Sequence, residues 1–269
     1  MPSPQPDNTK AASLSPTFWV LVVIAITINL RPFLTAIGPL GNTIQTATGM
    51  SLSQLSWLTL LPMALMGAGA WIAPSVLQRF GARNAICGAL LLIALGCALR
   101  MLGGNSAVLL ATAALCGAGV ALIQGILPGA IKRESPRHVA QMMGLYSCAL
   151  MGGGAFGAQI SPLAVQWGWD WRAALSLWTV PVLIALPLAW HALGKIQKSL
   201  ASTAISTGQT TTNDTRWLIR RPRTWTLMAC FGLVNGGYAS VVAWLAPYYQ
   251  THGWSAAGSG TLVAMKGFP

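Results

Sequence analysis

Seven long apolar runs, separated by short polar breaks, dominate the chain. They fall near 17–44, 52–78, 84–101, 107–131, 139–166, 171–193 and 224–249, and another begins near Ala256. Each reaches or approaches the ~20 residues a helix needs to cross a ~30 Å hydrocarbon layer. No water satisfies backbone N–H and C=O groups inside a bilayer, so such runs are expected as helices. The pattern predicts an all-α membrane protein, with a six-span bundle over 17–193, a polar linker over 194–223, and a seventh span plus part of an eighth over 224–269. Residues 1–16 read as a disordered tail, and the Ser, Thr and Gly content of 199–215 reads as flexible linker.

Composition agrees with this layout. Hydrophobic residues make up 54% of the chain and charged residues 7%, against about 25% charged in soluble domains. A net charge of +12 would suit a nucleic-acid binder, but the basic residues are not gathered on an aromatic-interleaved patch, so no nucleic acid is expected as a partner. They lie in the breaks, and unevenly. One alternating set of breaks holds Lys10, Arg79, Arg83, Lys132, Arg133, Arg137, Lys195, Lys198, Arg216, Arg220, Arg221 and Arg223; the other holds only Arg100 and Arg172. Cytoplasmic loops carry the excess of Lys and Arg, which predicts a multi-pass protein with its N-terminus in the cytoplasm. The five cysteines all lie inside apolar runs without metal-ligand spacing, and read as small buried hydrophobes.

Against this apolar background Arg31 stands out. It sits near the middle of the first run, where a charge costs roughly 2.5–3.5 kcal/mol on insertion scales and usually faces a wet cavity or a bundle interior. No carboxylate within the spans is available to it, since Asp7, Glu134, Asp170 and Asp214 fall in the tail or the breaks. Arg31, Thr35, Gly38 and Asn42 share one helical face, and Pro32 frees a carbonyl near Ile28 and allows a bend beside the charge. Two roles stay open for Arg31: contact with an anionic solute, or a structural bond to another helix's carbonyls.

Other candidates follow from embedded polar groups. Asn29 precedes Arg31; Gln124 lies mid-span before Pro128; Asn235 and Tyr238 flank Gly236 and Gly237 on one face of the seventh run. Together with Arg31 and Thr35 these are the candidate substrate-binding residues, with bonding across helices as the alternative for Gln124 and interface filling for Tyr238. Gly153 and Gly157 belong to an every-fourth stripe from Ala149 to Ser161 that suits close helix packing. Enzymatic chemistry is not expected. Apart from His191 no embedded Asp, Glu or His is present for acid–base or metal work, and no Gly-Lys-Ser or Gly-Lys-Thr follows the glycine-rich runs, so neither cofactor nor metal is expected. A weak internal repeat relates 45–51, after the first run, to 250–255, after the seventh.

Four stretches carry a family resemblance. Asn29-Leu30-Arg31-Pro32 through Gly38-Pro39-Leu40, Ile123-Gln124 through Ile131-Lys132-Arg133, Ala149 through Gly154, and Gly232 through Ser240 with Ala243-Trp244-Leu245 resemble the cyanate permease branch of the major facilitator superfamily, which also holds nitroimidazole exporters. The superfamily's loop signature after the second span is present in part as Gln78-Arg79-Phe80-Gly81-Ala82-Arg83, with Gln78 in place of the acid. The resemblance implies a twelve-span transporter of the bacterial inner membrane, with alternating access between two six-span bundles around a central site and Arg79, Gly81 and Arg83 at a gate. It points to a small anion, cyanate above others, with the coupling ion open. Export of a nitroimidazole-like solute, a non-transporting scaffold or receptor, and an inactive truncated product ending within the eighth span are the alternatives.

Overall fold

The computed structural model describes residues 15–207 and 221–266. The tail over 1–14 and the linker stretch over 208–220 lie outside the described residues. Every regular element among those described is helical: α1 (Pro16–Thr27), α2 (Pro32–Thr35), α3 (Ile37–Thr48), α4 (Leu52–Leu99), a 3-10 turn (Arg100–Leu102), α5 (Ser106–Glu134), α6 (Val139–Gln166), α7 (Trp171–Ser176), α8 (Thr179–Thr207), α9 (Pro222–Thr251) and α10 (Ala256–Lys266). Six segments are long and apolar enough to cross a membrane. One of them, Leu52–Leu102, is two spans joined at Gly81, whose φ of 75° and ψ of 164° fall in a region open essentially to glycine alone. The spans expected over 52–78 and 84–101 are thus separate, turning where the loop signature lies.

Two boundaries differ from the sequence reading. The first run is not one bent helix: it breaks between Thr27 and Pro32 and resumes as α2 and α3. The last helix of the bundle does not stop at Leu193 but continues to Thr207, into the stretch assigned to the linker, because no glycine or proline interrupts it between Gly194 and Gly208.

Packing arranges these helices in two tiers. Toward the end that carries Pro16, side chains of α1, α4, α5, α6 and α8 form the main core around Ile26, Leu90, Ile93, Val120 and Leu127. Toward the other end, Ile37, Leu40, Ile44, Leu58, Leu109 and Trp171 form a second core. Small residues set the spacing. A methyl at Gly69, Gly117 or Gly119 would strike Ala121, the Pro62 backbone or the Ala89 carbonyl, so α5 lies nearly in backbone contact with both halves of α4. Cys87, Cys97 and Cys116 are buried as expected, whereas Cys148 and Cys230 are exposed, on faces turned out from the described core.

Helices α9 and α10 join the bundle through α6 and α3, with Ala158, Ala246 and Val263 in a small shared core. The first half of α9 stands clear, with Leu233 and Val234 at 78% and 73% exposure. The internal repeat has a local structural counterpart. α3 ends at Gly49 (φ 67°) and α4 restarts from Ser51, whose hydroxyl caps Gln54 N–H; α9 is followed by Gly253 (φ 85°), and Ser255 caps Gly258 N–H ahead of α10. Left-handed glycine, one residue, then a serine cap is the same chain reversal used twice.

Candidate functional site

Proline decides the local structure around Arg31. Pro32 has no N–H to give to the Ile28 carbonyl, so the helix cannot continue through it. Asn29 and Leu30 tighten to i−3 bonds with Ile26 and Thr27, and Arg31 takes φ −120°, ψ −23° before α2 begins. The Ile28 carbonyl turns toward α6, where Gly153 leaves room: a methyl there would overlap that oxygen. One turn on, a methyl at Gly157 would overlap the Thr35 hydroxyl and the Pro32 backbone. Gly153 and Gly157 therefore seat the break against α6.

Arg31 is 9% exposed. Its guanidinium lies over the Tyr238 ring, 4.5 Å from the ring centroid, so the seventh span covers one of its faces. Tyr146 on α6 is within its electrostatic reach. Among the described residues the guanidinium has no hydrogen-bond acceptor and no carboxylate partner. Burying an ion costs several kcal/mol, and a cation–π contact returns only about 2 kcal/mol when desolvated. The pairing with Tyr238 leaves the charge undercompensated. Thr35 does not relieve it, since its hydroxyl donates to the Arg31 and Pro32 carbonyls at 3.2 and 3.4 Å.

Arg100 makes the contrast clear. Read from the sequence as a loop cation, it is instead 1% exposed in the 3-10 turn, where it donates 2.8 Å to the Phe33 carbonyl and so braces α2. The signal was its position directly after an apolar run and before Gly103-Gly104. Of the two buried arginines, one is bonded to backbone and one is not.

The other candidates divide. Tyr238, Thr35 and Arg31 converge at Gly154, whose Cα faces all three. Asn29 faces the other way, its amide donating to Ala25 O at 2.7 Å and Pro181 O at 3.4 Å, which ties α1 to α8. Asn235 is half-buried one turn before Tyr238. Gln124 is half-buried on α5, and no hydrogen bond among the described residues joins it to Arg31. In the loop after the second span, Arg83 stacks 3.5 Å from the centroid of Trp190 on α8, and Arg79 lies over its neighbour Phe80 at 5.6 Å.

Sequence reasoning passed over Gln250. Its amide nitrogen donates to Pro39 O (2.8 Å) and Ser259 Oγ (2.9 Å), and its oxygen accepts from Asn42 (2.8 Å), clasping α3, α9 and α10 together. Arg31 meets Tyr238, Gly38 meets Val242 and Asn42 meets Gln250, in ascending order on both helices, so the first and seventh spans run parallel. Gln250→Leu removes three hydrogen bonds of about 1 kcal/mol each at a partly wet site. We expect α9 to be cut faster by protease than in the wild type, with the core of α4 and α5 equally resistant.

A broken helix with a buried cation at its midpoint, facing a parallel helix six spans later, is the layout of a transporter built on repeated bundles. The family model described as Major Facilitator Superfamily matches residues 15–268, and the chain belongs to that family. It is 42% identical over 250 residues to the cyanate transport protein CynX of Escherichia coli (strain K12), covering 91% of this chain and 62% of that protein. It is 33% identical over 241 residues to the 2-nitroimidazole transporter of the same organism, covering 89% and 59%. The chain thus spans about three fifths of the length of these relatives. A solved D-xylose-proton symporter matches 93% of this chain and 65% of its own, with a TM-score of 0.68 and 16% identity, a likeness of fold. The resemblance to the cyanate and nitroimidazole branch is shown by these relatives, and the protein is a multi-pass membrane protein of a transporter family.

Proposed function

We propose that the protein carries a small monovalent anion, cyanate above others, by alternating access, and that Arg31 meets the anion. The observation that carries this reading is an arginine nine-tenths buried at a helix break, its guanidinium without an acceptor among the described residues. It lies between the first and seventh spans, where two bundles related by a parallel repeat would share a central site. The 42% identical relative named for cyanate transport supports the choice of solute. Asn29 holds the break by bonding α1 to α8, while Thr35, Tyr238, Asn235 and Gln124 remain the polar groups of the proposed pathway. With the N-terminus in the cytoplasm of a bacterial inner membrane, the Gln250 clasp holds the first and seventh spans together on the outer side.

Moving one negative charge into an inside-negative cell costs about 2.3 kcal/mol per 100 mV. Uptake therefore needs a co-transported cation, an exchanged anion or consumption of the solute inside. Export of a nitroimidazole-like solute is the second reading, favoured by the 33% identical relative. Labelled cyanate offered to proteoliposomes containing the protein decides between them. Saturable uptake competed by azide is the expected result; competition by 2-nitroimidazole and not by small anions would favour the exporter, and no saturable entry of either would overturn both.

A further inference from the structure

The glycines of α6 are not equivalent. At Gly153 and Gly157 a methyl would collide with backbone of the first span, so these two are needed for packing. At Gly154 a Cβ would stand 3.4 Å from Thr35 Cγ2, 3.4 Å from the Tyr238 hydroxyl and 3.5 Å from Arg31 Cβ, which is ordinary contact with all three at once. The missing side chain at 154 is therefore not demanded by any neighbour. It keeps a gap about one methyl deep, bounded by the Tyr238 hydroxyl, Thr35 Cγ2 and the Cβ of Arg31, a residue nine-tenths buried whose guanidinium has no acceptor among the described residues.

We infer that Gly154 sets the size of the guest at Arg31, leaving the floor of the site bare so that a compact anion can lie over the α6 backbone within reach of both the guanidinium and the Tyr238 hydroxyl. The inference rests on the anion-site reading of Arg31 and adds to it a residue that determines specificity. Tyr238 already occupies one face of the guanidinium, so a guest must approach along its edge, where Arg donates a planar fork. A linear or flat inorganic anion fits that approach. A ring-bearing solute needs depth that Tyr238 and Thr35 close off.

The test is equilibrium dialysis of the detergent-solubilised chain against labelled cyanate, with azide, thiocyanate and benzoate as competitors. Wild type is expected to bind cyanate and to be displaced by azide and thiocyanate but not by benzoate. Gly154→Ala is expected to bind cyanate about tenfold more weakly or worse, the scale of one misplaced methyl in a fitted pocket, with thiocyanate losing more than cyanate and the melting temperature unchanged. Gly154→Ser, larger still, is expected to lose more. The outcomes separate the two levels of the claim. Binding that requires Arg31 but is indifferent to Gly154→Ala and Gly154→Ser overturns the role given to Gly154 and leaves the anion site standing; absence of binding by wild type, or binding that survives Arg31→Gln, overturns the anion site and the inference with it. A fall in melting temperature for Gly154→Ala equal to that of Gly157→Ala would make Gly154 a packing residue and also overturn the inference.

Discussion

Arg31→Met is expected to abolish anion binding and uptake while raising the melting temperature of the solubilised protein. The two effects have one cause. Arg31 is buried at 9% exposure with only the Tyr238 ring against its guanidinium, so in the absence of a guest it carries a desolvation cost of several kcal/mol that the ring offsets by about 2 kcal/mol. Methionine keeps much of the length and the apolar stem without the charge. Replacing buried ions by apolar residues of like size has stabilised other proteins by about 1–4 kcal/mol, and the lower half of that range is expected here. Arg31→Lys should retain little uptake, because an ammonium has neither the planar fork nor the flat face that lies on Tyr238. Arg31→Ala should likewise insert into the membrane and fail to transport. Melting curves and uptake measured on the same preparations check the pair. An Arg31→Met protein that transports normally would remove the assigned role, and one that is markedly less stable would point to an architectural role for the side chain.

The second large effect is expected at Gly153 and Gly157. Gly153→Ala places a methyl on the Ile28 carbonyl oxygen, and Gly157→Ala places one on Pro32 and Thr35. The obstacles are mostly backbone, which cannot rotate aside, so α6 must withdraw from the break. Overpacking of this kind costs about 1–3 kcal/mol. The withdrawal would also part Arg31 from the α6 backbone, so transport should fall together with stability. Thermal melting and protease resistance of the solubilised protein read the first effect and uptake the second. Gly152→Ala serves as the control, since nothing lies within contact of a Cβ there. Equal stability of all three variants would mean that the close approach of α6 to the break is not needed.

Much of the layout was legible because a bilayer is a severe solvent. Runs such as 107–131 and 139–166 have to be helices, and the structure begins and ends α5 and α6 within a few residues of them. Arg31 was legible for the same reason, a charge in an apolar run being conspicuous. Its surroundings were not. Pro32 announced a bend, but whether the carbonyl it frees meets water, a side chain or a neighbouring helix depends on what lies opposite, and Gly153 is more than a hundred residues away in the chain. Arg100 shows the converse error: an arginine at the end of a run looks like a loop cation until the Phe33 carbonyl is found 2.8 Å from it. Asn29 lies two residues before Arg31 yet bonds α8, because side chains two apart on a helical turn point to nearly opposite sides, and which neighbour stands on each side is a tertiary matter.

From residue order alone came the class, the succession of apolar helices and the one conspicuous buried charge, since each follows from the cost of placing polar groups in hydrocarbon, a property of the local chain. Which glycines pack and which merely leave space, which of two buried arginines is bonded, and that Gln250 clasps the first span to the seventh were settled only by the tertiary structure. Those are contacts between residues up to 211 positions apart, and the cost of a methyl or an unmet donor is set by the atom that stands across from it.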